Sequence, residues 1–523
     1  MNADAPVPQA PPHPRTGQLL VASIFLIAIA GLVFELIAGA LSSYLLGDSV
    51  TQFSIVIGLF LSAMGVGSFL SKFVRTNVIA ALILVEAAVG IVGGLTALVG
   101  FAAFAYTAQY SAILLSMVFA VGVMVGLEIP LVIRILQDHK TLRITLANVL
   151  GADYLGALAA SLLFPFLLLP NLGLVQSGAL MGLLNLAVAG LLWFWFRDAI
   201  GKARTSLGLL LSGGFLALLG VFFYAPQLTS LFEARLYQDE IIYSTTTPYQ
   251  RIVITRWRDD VRLFLDGHLQ FSSIDEYRYH ETLVHPAMAL LRNRERILIL
   301  GGGDGLAARE ILQYEDVRTV EIVDLDPAIT ELFAHNPLLT QLNSNALNES
   351  RVRVINADAM KFLESGNDMY DAIFIDLPDP SRPEIAKLYS TAFYRLALRH
   401  LAQEGVLVTQ ATSPLRSREA FWCIISTLRN AAGEVDRGQV VEPLHVYVPT
   451  FGEWGFGLVR HGATAQQPLD PKIKLRFLTN EGMSGLHRFP PDLADTDEEP
   501  STLDRPRVQE RYQNAYNRYF DDD

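Results

Sequence analysis

The sequence predicts a chain of two parts: an all-α N-terminal domain of about seven membrane-crossing helices, then a small β unit leading into a doubly wound α/β domain. Three observations carry this prediction. Long apolar stretches fill the first 225 residues, and short apolar strands alternate with helical segments from residue 296 onward. The charge lies in the second part: residues 1–230 hold 9 Lys and Arg against 8 Asp and Glu, and the remainder holds 31 against 44. The net charge of −12 therefore belongs to the C-terminal half. So acidic a half argues against nucleic acid as a partner and suits small cations. The single cysteine, Cys423, excludes an internal disulfide and a cysteine-based zinc site, and no metal site is expected.

Residues 1–17 are polar and Pro-rich, the composition of a disordered leader. The membrane domain is placed at 18–225. Its apolar stretches run at 18–46, 52–71, 78–105, 110–133, 145–169, 175–196 and 205–224. Each suffices for the roughly 20 helical residues that span a hydrocarbon core of about 30 Å. A soluble core is excluded because so many long apolar runs would need a far larger protein to cover them, and a cleaved signal is excluded because further spans follow the first. The lipid bilayer of the cell (inner) membrane is the expected surrounding. Basic residues fall in alternate loops (Lys72 and Arg75; Arg134, Lys140 and Arg143; Arg197, Lys202 and Arg204), which puts the N-terminus in the cytoplasm. Seven crossings would then put the acidic half outside unless one span is re-entrant, so its side stays open. Glu35, Glu86, Glu128 and Asp153 lie within the spans, either as functional carboxylates or as hydrogen-bonded links between helices.

The segments "IIYSTTT", "YQRIVITRW" and "VRLFLDGHLQF" read as strands and define a small β unit at 238–273. "IDEYRYHETLVHPAMALL" follows with helical spacing and opens the α/β domain, placed at 274–460. Its strands are expected at 296–300, 319–323, 351–355, 371–375 and 405–410, a spacing that implies a parallel sheet with helices on both faces. Ligands of such sheets sit beyond the carboxyl ends of the strands. There the sequence places "GGGDG" with Asp304, then Asp324, Asp358, Asp376 with Asp379, and Gln410. One acidic residue in such a place is a common helix cap; five polar ends along one edge point to a binding site.

The loop "RILILGGGDGLAARE" lacks both the last glycine of a dinucleotide fingerprint, replaced by Leu306, and the G-K-[ST] of a triphosphate loop. Asp304 would repel a pyrophosphate. Asp324, about 20 positions on, suits a ribose hydroxyl pair. The ligand class left is a nucleoside sulfonium without phosphate. A carboxylate beside its tail favours an amine and disfavours a carboxylate, which selects decarboxylated S-adenosylmethionine over S-adenosylmethionine.

Ordered motifs carry a family likeness: "YQ" at 249–250, "LDGHLQ" at 265–270, "DEYRYHE" at 275–281, "GGGDG" at 301–305, "DLPDP" at 376–380, "LYSTAFY" at 388–394 and "VPTFGEWGF" at 448–456. Over roughly 240–460 the chain resembles the polyamine aminopropyltransferases, of which spermidine synthase is the best known, and the preceding spans resemble the family's membrane-bound bacterial branch. The resemblance implies a Rossmann-like, class I methyltransferase-like fold. It implies transfer of the aminopropyl group of decarboxylated S-adenosylmethionine, as co-substrate with no further cofactor, to a diamine such as putrescine. Spermidine and methylthioadenosine would result. By resemblance Gln250 and Asp324 contact the thioadenosine and ribose, Asp358 and Ala359 recognise the adenine, and Pro383 lines that pocket. His280 and Asp304 hold amines, Asp376 takes the proton and Asp379 binds the diamine. Tyr279, Gln410, Phe451 and Trp454 are further candidates, the aromatics serving either as substrate wall or as core. A homo-oligomer is allowed, since soluble members commonly form dimers or tetramers. Asp324 stands where the family usually has glutamate, and Phe451 where it often has tyrosine near the acceptor. The alternatives are a polyamine transporter or sensor with a binding-only synthase-like domain, and an S-adenosylmethionine-dependent methyltransferase. The segment 461–523 reads as an acidic, Pro-rich, partly disordered tail closed by a short helix near "VQERYQNAYNRYF".

Overall fold

A computed structural model describes residues 16–520 apart from 47–48, 108, 138–141, 238 and 437. Most of the leader expected at 1–17 lies outside the described residues. The chain divides into two compact units, Met1–Gln238 and Asp239–Asp523.

The first unit is all-helical: α1 (Thr16–Leu46), α2 (Ser49–Leu70), α3 (Val78–Tyr106), α4 (Tyr110–Gln137), α5 (Leu142–Leu163), α6 (Leu169–Trp195) and α7 (Arg204–Leu236). Six stretches among the described residues are long and apolar enough to cross a membrane. The longest, Arg143–Trp195, contains both α5 and α6. Its 53 residues would measure about 80 Å as one helix. It is broken by a π-turn at Phe164–Leu168 and by Gly173, whose backbone is not helical (φ 67°, ψ −173°). Small residues set the close packing. A Cβ at Gly67 would lie 1.9 Å from the Val123 carbonyl oxygen, and one at Gly182 2.4 Å from that of Gly90, so α2 meets α4, and α3 meets α6, backbone to backbone. Glu86 and Glu128 are buried in this unit, and the Asn185 amide donates to Glu86 at 3.2 Å. Glu35 and Asp153 are half-buried.

The second unit begins with an antiparallel sheet of β1 (Glu240–Thr246), β2 (Arg251–Trp257), β3 (Asp260–Leu265) and β4 (His268–Ser272). The segment read as one third strand is two: Asp266 and Gly267, both with positive φ, turn the chain between β3 and β4, and Asp-Gly is the pair that tolerates this tight hairpin. After α8 (Glu276–Met288) come β5 (Arg296–Gly301), α9 (Leu306–Ile311), β6 (Thr319–Asp324), α10 (Pro327–His335), α11 (Pro337–Leu342) and β7 (Val352–Asn356). They are followed by α12 (Ala359–Ser365), β8 (Tyr370–Asp376), α13 (Pro383–Ala386), α14 (Thr391–Arg399), β9 (Leu401–Gln410), α15 (Arg418–Val435), β10 (Gln439–Val448), β11 (Gly452–His461), α16 (Asn480–Met483) and α17 (Arg507–Phe520).

The strand order is β10-β11-β9-β8-β5-β6-β7. The five expected strands are present and mutually parallel, and the antiparallel hairpin β10–β11, absent from the sequence reading, extends the β9 edge. Alternate residues of the parallel strands feed opposite cores. Ile297 and Ile299 pack with α8 and α9, whereas Leu298 and Leu300 pack with α14 and α15, which is why these strands read as unbroken apolar runs. The winding direction changes between β5 and β8, and the switch point opens a crevice at their carboxyl ends.

One expectation is corrected. The segment 461–523 is not a disordered tail over its described residues. Leu469, Leu478, Met483, Leu486, Leu493 and Val508 are buried. Glu281 accepts the backbone N–H groups of Arg476, Phe477 and Leu478 at 2.7, 3.0 and 2.8 Å. The Trp422 indole donates to the Leu493 carbonyl at 2.9 Å. Low hydrophobicity misled because the segment folds onto existing surface instead of building a core of its own.

Candidate active site

The loop from β5 to α9 is shaped by contacts no side chain could share. Gly301, Gly302 and Gly305 have φ of 85°, 60° and 77°, a region glycine alone enters freely. A Cβ on Gly301 would sit 2.1 Å from the Asp376 carbonyl oxygen, and one on Gly303 2.6 Å from Asp324 Oδ2. The Gly302 N–H donates to the Asp376 carbonyl at 3.0 Å. The loop is thus pressed between the ends of β8 and β6, and three of the sequence-predicted carboxylates meet around it.

Asp324 closes β6. Its Oδ2 accepts the Gly303 N–H at 3.1 Å and its Oδ1 the Asp326 N–H at 2.9 Å. Burial outweighs these bonds and lifts its pKa to about 6. Gln250 reaches the same edge from the β1–β2 connection, where its amide donates to Asp326 at 3.0 Å beside the Thr247 hydroxyl at 2.8 Å. Asp304 Oδ1 accepts the Leu306 N–H at 2.9 Å. Burial raises its pKa, the cation of His280 pulls it back, and the charge of Asp376 adds to the rise.

His280 sits 3% exposed on α8, with Nδ1 against Glu276 at 2.7 Å. Burial opposes its charge, yet the bond and charge of Glu276, with Asp304 and Asp376 behind, lift its pKa to about 9. Arg309 grips the same Glu276 at 2.9 Å. A charged imidazole would attract an anion, so His280 stands here as the positive member of a carboxylate cluster rather than as an acceptor for an amine.

Asp376 ends β8, and its Oδ1 accepts the Tyr279 hydroxyl at 2.6 Å. Tyr279 belongs to an aromatic wall with Phe451, Trp454 and Phe456, its ring centroid 6.5, 6.4 and 5.1 Å from theirs. The aromatics are packed together, and Tyr279 links them to Asp376. The Trp454 indole N–H is buried without a partner. Asp275 holds the wall in place by accepting the Thr450 N–H at 2.7 Å and the Thr450 hydroxyl at 2.9 Å.

Asp379 lies two residues into the loop after Leu377. Its Oδ1 takes the Gln410 amide at 3.4 Å and its Oδ2 the Tyr512 hydroxyl at 2.9 Å. Burial outweighs both bonds and puts its pKa at about 6. Gln410 also donates to the Leu377 carbonyl at 2.7 Å and to the Tyr389 hydroxyl, and accepts the Thr412 N–H at 2.8 Å. Further along, Arg382 pairs with Asp266 of the β3–β4 turn at 2.8 Å, and Pro383 starts α13.

Asp358 is not drawn into the cluster. It caps α12 through the N–H groups of Met360 and Lys361 at 2.9 and 3.1 Å and pairs with Lys387 at 2.8 Å. Burial opposes this ionisation, but Lys387 and the cap bonds hold its pKa below the usual range. Ala359 follows as a buried first-turn residue. The sequence reading missed Glu276, Asp326, Tyr389 and Tyr512. Glu276 and Tyr389 lie inside quoted motifs, Asp326 follows Asp324 by two residues, and Tyr512 stands in the segment taken for a tail.

Among the described residues no group of three His, Cys, Asp or Glu could hold a metal. A cavity of about 420 Å³ lined by Tyr277, Arg309 and Arg476 contains none of the strand-edge carboxylates. What the edge offers is three half-buried carboxylates, a ribose-type acceptor and an aromatic wall, a setting for one or more organic cations.

The family model for the spermine/spermidine synthase domain matches residues 276–469. Polyamine aminopropyltransferase 1 of Ralstonia nicotianae is 45% identical over 98% of this chain and 97% of its own. The polyamine aminopropyltransferase of Leptospira interrogans is 43% identical over 96% and 99%. A solved spermidine synthase in complex with the transition-state analogue AdoDATO superposes with a TM-score of 0.43 at 24% identity, over 48% of this chain and 86% of that one.

Proposed function

Because the chain belongs to the polyamine aminopropyltransferases, we propose that its second unit transfers the aminopropyl group of decarboxylated S-adenosylmethionine to a diamine of the putrescine class. The observation that carries the reading is the pairing of Asp376 and Asp379 on one loop, with Asp304 and Asp324 across the glycine turn. Asp324 suits the ribose hydroxyls, and Asp304 suits the donor's amine. Asp379 suits the far ammonium of the acceptor, and Asp376 the reacting nitrogen. That nitrogen must shed a proton before it attacks. Asp376, oriented by Tyr279, takes that proton; the freed lone pair then forms the C–N bond as the C–S bond breaks, and the C–S electron pair leaves with sulfur as neutral methylthioadenosine. Two cationic reactants repel each other in water, so much of the acceleration comes from carboxylates that hold them together in line.

We further propose that the first unit crosses the cell membrane. Its long helices expose Leu158, Leu162, Phe166, Leu209, Leu216 and Phe223, and hydrocarbon is the medium that covers such a surface without cost.

Product analysis tests the reaction. The detergent-solubilised full chain, given decarboxylated S-adenosylmethionine and a panel of diamines, should yield methylthioadenosine and one aminopropylated amine. Asp376→Asn should reduce turnover at least a hundredfold, the loss of a general base being about 10² to 10⁴. Wild-type protein that binds the donor yet forms no product would overturn the proposal.

A further inference from the structure

The C-terminal helix α17 reaches the amine end of the site from 133 residues away. Its Tyr512 hydroxyl donates to Asp379 Oδ2 at 2.9 Å, and the neighbouring Gln513 amide donates to the Ser381 carbonyl on the same loop at 3.2 Å. One turn on, the Tyr516 ring stands edge-on to His268 of β4, centroids 6.2 Å apart. The helix is fixed behind by scaffold residues: Val508 is fully buried, Arg511 pairs with Glu498 at 2.9 Å, and the preceding Ser501 N–H donates to Thr427 of α15 at 2.8 Å. A rigid element therefore delivers one hydroxyl to one carboxylate.

We propose that Tyr512 is a positioning residue of the acceptor site: it orients Asp379 and keeps it anionic, so that the carboxylate can hold the distal ammonium of the amine. This rests on the reaction proposed above. Among the described residues the Asp379 side chain is bonded to two neutral donors, Tyr512 and Gln410. A buried carboxylate so held carries a charge that an alkylammonium compensates. Among the described residues Tyr512 is the phenol bonded to this carboxylate. Burial raises the Asp379 pKa to about 6 and the Tyr512 bond works against that rise. Removing the hydroxyl must push the pKa higher, so that Asp379 becomes neutral at a higher pH than in the wild type. The other groups that face it are Tyr389 after α13 and Tyr279 on α8, both of which feel its charge, with Asp376 on its own loop. None of these is altered by the change at position 512.

The test is calorimetric binding of putrescine to the detergent-solubilised full chain across pH, with methylthioadenosine binding measured in parallel. Tyr512→Phe should weaken putrescine roughly ten- to a hundredfold, the worth of one hydrogen bond to a charged group. It should also move the acid limb of binding upward from about pH 6 and leave methylthioadenosine affinity unchanged. Gln513→Ala, which frees the loop backbone without touching Asp379, should match wild type in both respects. An unchanged putrescine affinity and limb in Tyr512→Phe would overturn the proposal. So would an equal loss in Gln513→Ala, or a parallel loss of methylthioadenosine binding, either of which marks the helix as mere support. Wild-type turnover, assayed separately, decides the reaction itself.

Discussion

At the scale of single residues, the site is a balance of buried charge. His280 is the clearest case because it is 3% exposed and yet charged, held by Glu276. Its pKa rises from 6.5 in the unfolded chain to about 9 in the fold. The folded state therefore binds the extra proton between those values, and stability falls as pH rises. The contribution is fully present below pH 6.5 and gone above about 9, a change on the order of 3 kcal/mol. Thermal midpoints of the solubilised protein should decline across that window and stay flatter in His280→Gln; an equal decline in both would assign the pH dependence to other groups. His280 also shows the limit of reading roles from residue type. The sequence marks a histidine in a motif, but only its contact with Glu276 shows that the ring is a cation.

At the scale of elements, the glycine loop is the narrowest passage. The structure gives two reasons for glycine at Gly301, a φ of 85° and the Asp376 carbonyl 2.1 Å from any Cβ. Gly301→Ala combines a left-handed backbone with that clash. It should cost about 1–3 kcal/mol from strain alone and displace the end of β8, abolishing turnover while the protein still folds. The check is a denaturation midpoint beside an assay, and a variant that folds and retains full turnover would refute the argument. The strand–helix alternation was legible because β5, β6, β8 and β9 are buried on both faces along most of their length and read as apolar runs. The hairpin β10–β11 was not legible: its residues Gln439 to His461 mix Gly, Pro, Glu and aromatics, and it is a strand pair because it lies against β9.

At the scale of the whole molecule, the two units have separate cores. Residues 239–523 close their own apolar surface with buried strands and the packed C-terminal segment. Expressed alone, this fragment should be soluble without detergent and bind methylthioadenosine. The full chain should need detergent, given the exposed apolar faces of α5 and α7. Gel filtration and calorimetry check both, and a fragment that aggregates would show that the catalytic unit depends on its N-terminal partner. The seven apolar segments read from the sequence correspond to seven helices among the described residues, which make six stretches long and apolar enough to cross a membrane because α5 and α6 join in the 53-residue stretch broken at Gly173.

What the sequence by itself determined is what repeats locally. Runs of about 20 apolar residues need no distant contact to be recognised, because the membrane's thickness is their only ruler. The strand ends at Gly301, Asp324, Asp376 and Gln410 follow from periodicity, and the parallel sheet brings all of them to one edge. What only the tertiary structure decided is whatever depends on partners far along the chain. Glu281 stitches down residues 476–478, Asp275 holds Thr450, and Tyr512 finds Asp379 across 133 residues. Such pairs leave no periodic trace. Their geometry is set by packing of the whole unit, and a polar residue in an acidic segment looks the same whether it meets water or a buried carboxylate.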